Sequence, residues 1–359
     1  MDPAGFFAAA EQAFAAAAAR TAERAHWFRI AGRRVCLRFA GNELAGMLEP
    51  VFAHLRIPPA PMADLTVLVW DHGETGIALP PRPWSPEQEG VQGRVEFPQG
   101  EYAALIDGGG IQVWLLDRAG GRGVVWFRGA AEMPYWERIH PLRQFLEAWA
   151  ASLGLQMVHA GGVAFDGAGA LLIGPGGSGK STSVLACIAA GARSVGDDYV
   201  LIDAGARPAA HSLYGTMRLF ESHVRRFPFL MPEHDSVAPG HDGTPKLTAY
   251  VSVRRPASLV ETLPIAAILI PSVAGGAETR LRRESGGAAL FALAPNSLKQ
   301  LDPTSREAFA RMARLCRALP CWRLELGADA ASIAARVREA IERSAAGPAP
   351  AAVPAGPVH

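Results

Sequence analysis

Two stretches of the 359-residue sequence carry residue types able to hold and move a phosphoryl group. Gly174-Pro175-Gly176-Gly177-Ser178-Gly179-Lys180-Ser181 has the G-x-x-x-x-G-K-[ST] spacing of a phosphate-binding loop, and Gly196-Asp197-Asp198 sets two carboxylates a short way downstream. Glycines let successive backbone N–H groups turn inward around a polyphosphate, where side chains would block the approach. A helix that follows, opening at Ser181 or Thr182, points the positive end of its dipole at the same anion. Lys180 then supplies a mobile point charge for β- and γ-phosphates, and the Ser181 hydroxyl a hard oxygen ligand for Mg²⁺.

The elements needed to position these groups are legible nearby. Ala170–Ile173 reads as a short apolar strand entering the loop, and a helix is expected from Ser181 or Thr182 to about Ala190. Asp197 and Asp198 precede a second apolar run, Tyr199–Ile202; at a strand start, adjacent carboxylates point to opposite faces, so one can face a metal and the other an incoming hydroxyl. Gly174, Gly176 and Gly179 also satisfy G-x-G-x-x-G. A dinucleotide fold, however, wants its acidic residue near the end of the next strand, not before it, and gives Lys180-Ser-Thr182 no role.

Composition bounds the class. With 49% hydrophobic residues the chain can bury a large core, and its length fits two domains. A net charge of +1 provides no global field toward nucleic acid or an anionic membrane, so neither is expected as a partner. The 35 basic residues include only three lysines, Lys180, Lys246 and Lys299. Cys36, Cys187, Cys316 and Cys321 show no metal-site spacing and read as reduced, mostly buried thiols of a cytoplasmic protein. No long uncharged apolar run is present, and Asp2 stands where a signal peptide would be basic.

Taken in order, residues 6–25 are Ala-rich with Phe6, Phe7 and Phe14 on one face, an amphipathic core-packing helix. From Phe28 to Phe127 short runs such as Arg34–Phe39, Leu65–Trp70, Ile111–Leu116 and Gly123–Phe127, punctuated by Gly, Pro and Asp, make a β-rich N-terminal domain over residues 1–133. Pro80–Pro86 reads as a surface loop. Tyr135–Leu153 has helical spacing and bridges into a second domain, 134–345, in which Leu155–Phe165 is a strand carrying His159. A loop-rich region to about Pro256, a strand at Ile265–Ile270 and helices around Asn296–Leu319 and Asp329–Ser344 follow. Residues 346–359 form a Pro/Ala-rich tail expected to be disordered.

His159, the phosphate loop and the Asp pair together resemble the kinase core of the HPr kinase/phosphorylase family, and more distantly phosphoenolpyruvate carboxykinases. His159 lies 21 residues before Lys180 and Asp198 lies 18 after it. The resemblance covers roughly residues 155–345 and implies an α/β fold, a P-loop kinase core of the HPr kinase type behind the β-rich N-terminal domain. It also implies ATP-dependent, Mg²⁺-assisted phosphorylation of a serine hydroxyl on a protein or peptide. By that resemblance Asp198 is the catalytic base, Asp197 a metal-site carboxylate and His159 an active-site histidine. The Glu-Val-Arg-Gly-Leu-Gly run of the bifunctional enzymes has no counterpart; His211–Phe220 occupies that region, so phosphorylase activity and HPr itself as substrate do not carry over, and a peptide-tailoring role fits as well. Arg218 and Lys246 are the candidates for acceptor or phosphate contacts. A small-molecule hydroxyl kinase and a regulatory module with slow ATP hydrolysis are the alternatives, and self-association into a homo-oligomer is left open.

Overall fold

A computed structural model describes residues 2–90, 93–97, 100–107, 109–230, 237–239, 245–300 and 306–346. The expected tail of 346–359 lies, past Ala346, outside the described residues, as do residues 240–244 before Lys246. The chain is mixed α/β with several sheets. Its two compact units are interleaved in sequence: the first comprises 1–158, 195–203 and 211–262, the second 159–194, 204–210 and 263–359.

In chain order, α1 (Pro3–Arg20) leads into β1 (Glu23–Ile30), β2 (Arg33–Ala40), α2 (Glu43–Phe52), β3 (Leu65–Asp71), a one-turn α3 (His72–Thr75), β4 (Arg94–Glu96), β5 (Tyr102–Asp107), β6 (Gln112–Asp117) and β7 (Arg122–Phe127). These seven strands form one sheet in the order β1-β2-β3-β7-β6-β5-β4. β2, β3 and β7 run parallel, and the remaining neighbours are antiparallel. Asp2 caps α1 by accepting from Gly5 N, and Pro3 opens the helix where its missing N–H costs nothing. The buried face of α1, Phe6, Phe7, Ala10, Phe14 and Ala17, packs on the sheet, with Phe14 edge-on to Trp70 at 6.1 Å. This is the core-packing role expected of it. The helix stops at Arg20 rather than 25, because Trp27, Phe28 and Ile30 favour the pleated surface of β1.

Two helices, α4 (Tyr135–Ile139) and α5 (Arg143–Ser152), stand where one was expected. Pro141 has no N–H and pushes His140 out of the helical region, to φ −134° and ψ 65°, while Leu142 turns left-handed at φ 57°. α5 returns to the sheet through Phe145, edge-on to Trp114 at 5.7 Å.

Next come β8 (Gln156–Phe165), β9 (Ala168–Ile173), α6 (Lys180–Ala189), β10 (Arg193–Gly196), β11 (Tyr199–Asp203), β12 (Ala209–His211), β13 (Thr216–Leu219), α7 (Glu221–Arg226), β14 (Val237–Pro239), β15 (Pro245–Tyr250) and α8 (Val251–Arg254). They are followed by β16 (Thr262–Val273), β17 (Arg280–Glu284), α9 (Gly286–Gln300), α10 (Arg306–Ala318), β18 (Cys321–Leu326) and α11 (Ala330–Ala345). In the second unit β8 pairs antiparallel with β9, β9 parallel with β16, β16 parallel with β18, and β18 antiparallel with β17. β9 is therefore an interior strand, and every residue from Gly169 to Ile173 is buried. In the first unit β13, β15 and β14 make a small antiparallel sheet.

All four cysteines are buried and unbonded, and burial pushes the Cys316 thiol to about 12 and that of Cys321 to about 11, so both stay protonated. Among the described residues, no helix is long and apolar enough to cross a membrane.

Candidate functional site

The phosphate-loop sequence occupies the turn between the interior strand β9 and α6, the strand–loop–helix setting its spelling requires. Gly174, Gly177 and Gly179 adopt φ of 143°, 79° and 100°, values costly for any residue with a Cβ. A Cβ on Gly179 would lie 2.1 Å from Leu326 Cδ1, whereas one on Gly176 or Gly177 would meet nothing within 4 Å. The outer rim of the loop is thus bare backbone facing open space. α6 has Gly179 at its N-cap and no side-chain cap hydrogen bond, and the positive end of its dipole lies at the loop.

Lys180 is buried, and its Nζ donates to Gly174 O at 2.7 Å and Pro175 O at 3.1 Å. Ser178 N donates to Pro175 O, and the buried Ser178 hydroxyl has no hydrogen-bond partner among the described residues. An orphaned hydroxyl beside a ring of glycine amides is what a polyphosphate oxygen would satisfy. Ser181 is half-buried at the first turn of α6 and Thr182 is buried behind it. Among the described residues no group of three or more His, Cys, Asp or Glu side chains is arranged to hold a metal ion. A Mg²⁺ held by Ser181 would accordingly draw most of its ligands from nucleotide phosphates and water, the usual habit of that ion.

His159 also lies in this second unit, on β8. It is buried, and its backbone N–H donates to Ser297 Oγ at 3.0 Å, itself tied to Leu293 O within α9.

Asp197, Asp198, Arg218 and Lys246 belong to the first unit. Gly196 takes φ 113°, and a Cβ there would sit 2.8 Å from Tyr214 O, so the turn into the Asp pair needs glycine. Asp197 is buried; Asp198 is partly exposed and holds φ 74°, left-handed for a residue with a side chain. The pair lies in the turn just before β11, which gives it opposite surroundings through backbone strain rather than through strand alternation. Asp198 Oδ2 is 3.5 Å from His140 Nε2, and His140 is packed against the rings of Tyr199 and Tyr214 at 4.8 and 5.1 Å. Arg143 Nη1 donates to the Tyr199 hydroxyl at 2.7 Å.

No motif points to His140, Arg143 or Tyr199, since none of them belongs to a local pattern. Arg218 and Lys246 come to one face of the small sheet, because Arg218 pairs with Thr248 and Lys246 lies two residues before it. Each covers an aromatic ring: Arg218 lies over Tyr135 at 4.9 Å and Lys246 over Phe220 at 4.8 Å.

No protein-family model matches this chain, and no curated protein matches it. Among solved structures it is similar to the HPr(Ser) kinase/phosphatase from Coxiella burnetii, at 13% identity over 51% of this chain and 95% of that one, with a TM-score of 0.26. At that score the likeness decides neither fold nor reaction, so the functional reading rests on the residues themselves.

Proposed function

We propose that the protein is an ATP-dependent phosphotransferase that phosphorylates a hydroxyl, in the first instance a serine on a protein or peptide. The observation that carries this reading is the loop 174–179 between β9 and α6, with three glycines at left-handed φ, an uncapped helix N-terminus, a buried lysine and an unsatisfied serine hydroxyl. Those are the parts of a polyphosphate cradle.

In this reading the amides of Gly176, Gly177 and Gly179, with the Ser178 hydroxyl, hold the β- and γ-phosphates, and Lys180 turns from the carbonyls of Gly174 and Pro175 to pair with them. Ser181 would hold Mg²⁺, which supplies charge neutralisation when bound, and Asp197 keeps the metal-site or supporting role that the resemblance implies for it. The acceptor oxygen attacks the γ-phosphorus as the bond to the β-phosphate bridging oxygen breaks. ADP carries away that electron pair, and Asp198 takes the hydroxyl proton. His159 stands beside the cradle in sequence logic only, as the residue the HPr kinase resemblance assigns to the active site. Arg218 and Lys246, on one face of the small sheet, are proposed for the acceptor or its phosphate.

The test is transfer of labelled phosphate from Mg·[γ-³²P]ATP to a pool of serine-containing peptides and to free L-serine. Label in peptide phosphoserine supports the reading, label in free serine moves it to a small-molecule kinase, and ATP hydrolysis that neither acceptor accelerates favours a regulatory nucleotide module.

A further inference from the structure

His140 faces Asp198 from a turn that is tied down at nearly every residue. Thr216 Oγ1 donates to Ile139 O at 2.7 Å, the Tyr214 hydroxyl to Pro141 O at 3.1 Å, Leu142 N to Glu137 Oε2 at 3.0 Å, and Arg143 Nη1 to the Tyr199 hydroxyl at 2.7 Å. Two residues in this assembly hold a left-handed backbone without being glycine, Leu142 at φ 57° and Asp198 at φ 74°. Strain of that kind persists only where the surroundings over-determine it, and it concentrates at working sites.

The ties have a shared geometric effect. Pro141 ends α4, the left-handed Leu142 starts α5, and just before them the His140 ring packs against Tyr199 and Tyr214 with Nε2 3.5 Å from the carboxylate. Tyr199 directly follows Asp198 in the chain, and Arg143 grips its hydroxyl. The turn therefore holds the histidine and the segment carrying the aspartate at once.

We propose that His140 is a positioning residue for Asp198: the turn 139–143 fixes the imidazole, and the imidazole fixes the rotamer of the carboxylate that meets the acceptor hydroxyl. The assignment of a reaction to Asp198 rests on the function proposed above; the pairing itself does not. A misplacement of about 1 Å at a reacting group costs about 100-fold in rate, and the buried imidazole 3.5 Å away favours the carboxylate rotamer that faces it.

Two measurements on the full chain test this. In protein labelled with [¹⁵N]histidine, the His140 imidazole resonances, identified by their loss in His140→Gln, should move in Asp198→Asn and stay in place in Glu221→Gln, a change on an exposed helix. Should the resonances be unmoved in folded Asp198→Asn, the pairing is wrong. For ADP formation from Mg·ATP, His140→Ala should lower kcat about 10- to 100-fold with KM for Mg·ATP within about threefold, and His140→Gln, whose amide nitrogen can take the place of Nε2, should recover part of the loss. Unchanged kcat in a folded His140→Ala overturns the positioning role. If Asp198→Asn shifts the imidazole yet leaves ADP formation at the wild-type rate, the pairing stands and the phosphotransfer reading of Asp198 is what fails.

Discussion

Lys180 is folded back onto its own loop: its ammonium donates to Gly174 O at 2.7 Å, closing the ring of backbone that the glycines open. The anionic oxygens of a nucleotide are stronger partners for an ammonium than neutral carbonyls. Lys180→Ala should lower nucleotide turnover about 10³-fold or more, with the thermal unfolding midpoint nearly unchanged. Steady-state ADP formation and a melting curve on the same preparation check both halves.

Gly179 has two independent reasons to be glycine: its φ of 100°, and Leu326 Cδ1, which lies 2.1 Å from where a Cβ would stand. Gly179→Ala should lose about 1–3 kcal/mol of stability and most nucleotide affinity. Adding Leu326→Ala opens the space without curing the dihedral, so the double variant should recover only part of the affinity. Denaturant titration and calorimetry of the two variants distinguish overpacking from backbone strain.

Glu137 is buried, and desolvation pushes its carboxyl up to about 7, against the opposing pull of Arg143. Between pH 4.5 and 7 the unfolded chain has released this proton while the folded chain keeps it. Stability must then fall as pH rises through that window and level off above it, by about 3 kcal/mol in all. Glu137→Gln, which still offers an oxygen to Leu142 N, should remove this part of the slope. Urea unfolding of both proteins at about pH 5, 6, 7 and 8 measures the difference; parallel pH profiles would contradict the assignment.

Deleting residues 1–133 takes away partners of what remains in the first unit: Trp114 from Phe145, Arg94 from Glu147, and Phe52 from Tyr214. The truncated chain should be aggregated or largely unfolded by circular dichroism, even though the phosphate loop is intact in its sequence. A soluble, cooperatively folding truncation would show that residues 134–345 form a domain by themselves, the division that the motifs alone suggest.

How far the sequence discloses this arrangement depends on the range of the interaction. The loop is legible because one short segment contains its entire cause, an apolar strand, glycines and a lysine at fixed spacing. The strands β2, β3, β6, β7 and β16 are legible because each is a β-branched or aromatic run between breakers. By contrast α2 is hidden: Gly46 and Pro50 interrupt its pattern, and tertiary packing of Leu44, Leu48 and Phe52 sustains it regardless. The start of β1 reads as the end of an Ala-rich helix, because no glycine marks the boundary. The His140–Asp198 contact is out of reach, since it joins two turns that only folding brings together, and the single local clue, Pro141, announces a helix break and not a partner.

Asp198→Asn separates a kinase from a nucleotide binder, because a base matters only where a hydroxyl must be deprotonated. The variant keeps shape and most hydrogen bonds. It should retain Mg·ATP binding within severalfold and lose about 10²- to 10⁴-fold in phosphate transfer. Loss of Mg·ATP affinity as well would reassign Asp198 as a metal ligand.

Whether loop 174–181 binds the phosphates of a nucleotide is decided by calorimetric titration of Mg·ATP into the full chain and into Lys180→Ala. Saturable one-to-one binding by the wild-type protein is expected, with at least about tenfold weaker binding by the variant. Absence of binding to the folded wild-type protein, or equal affinity in the two, would contradict the phosphate-cradle assignment.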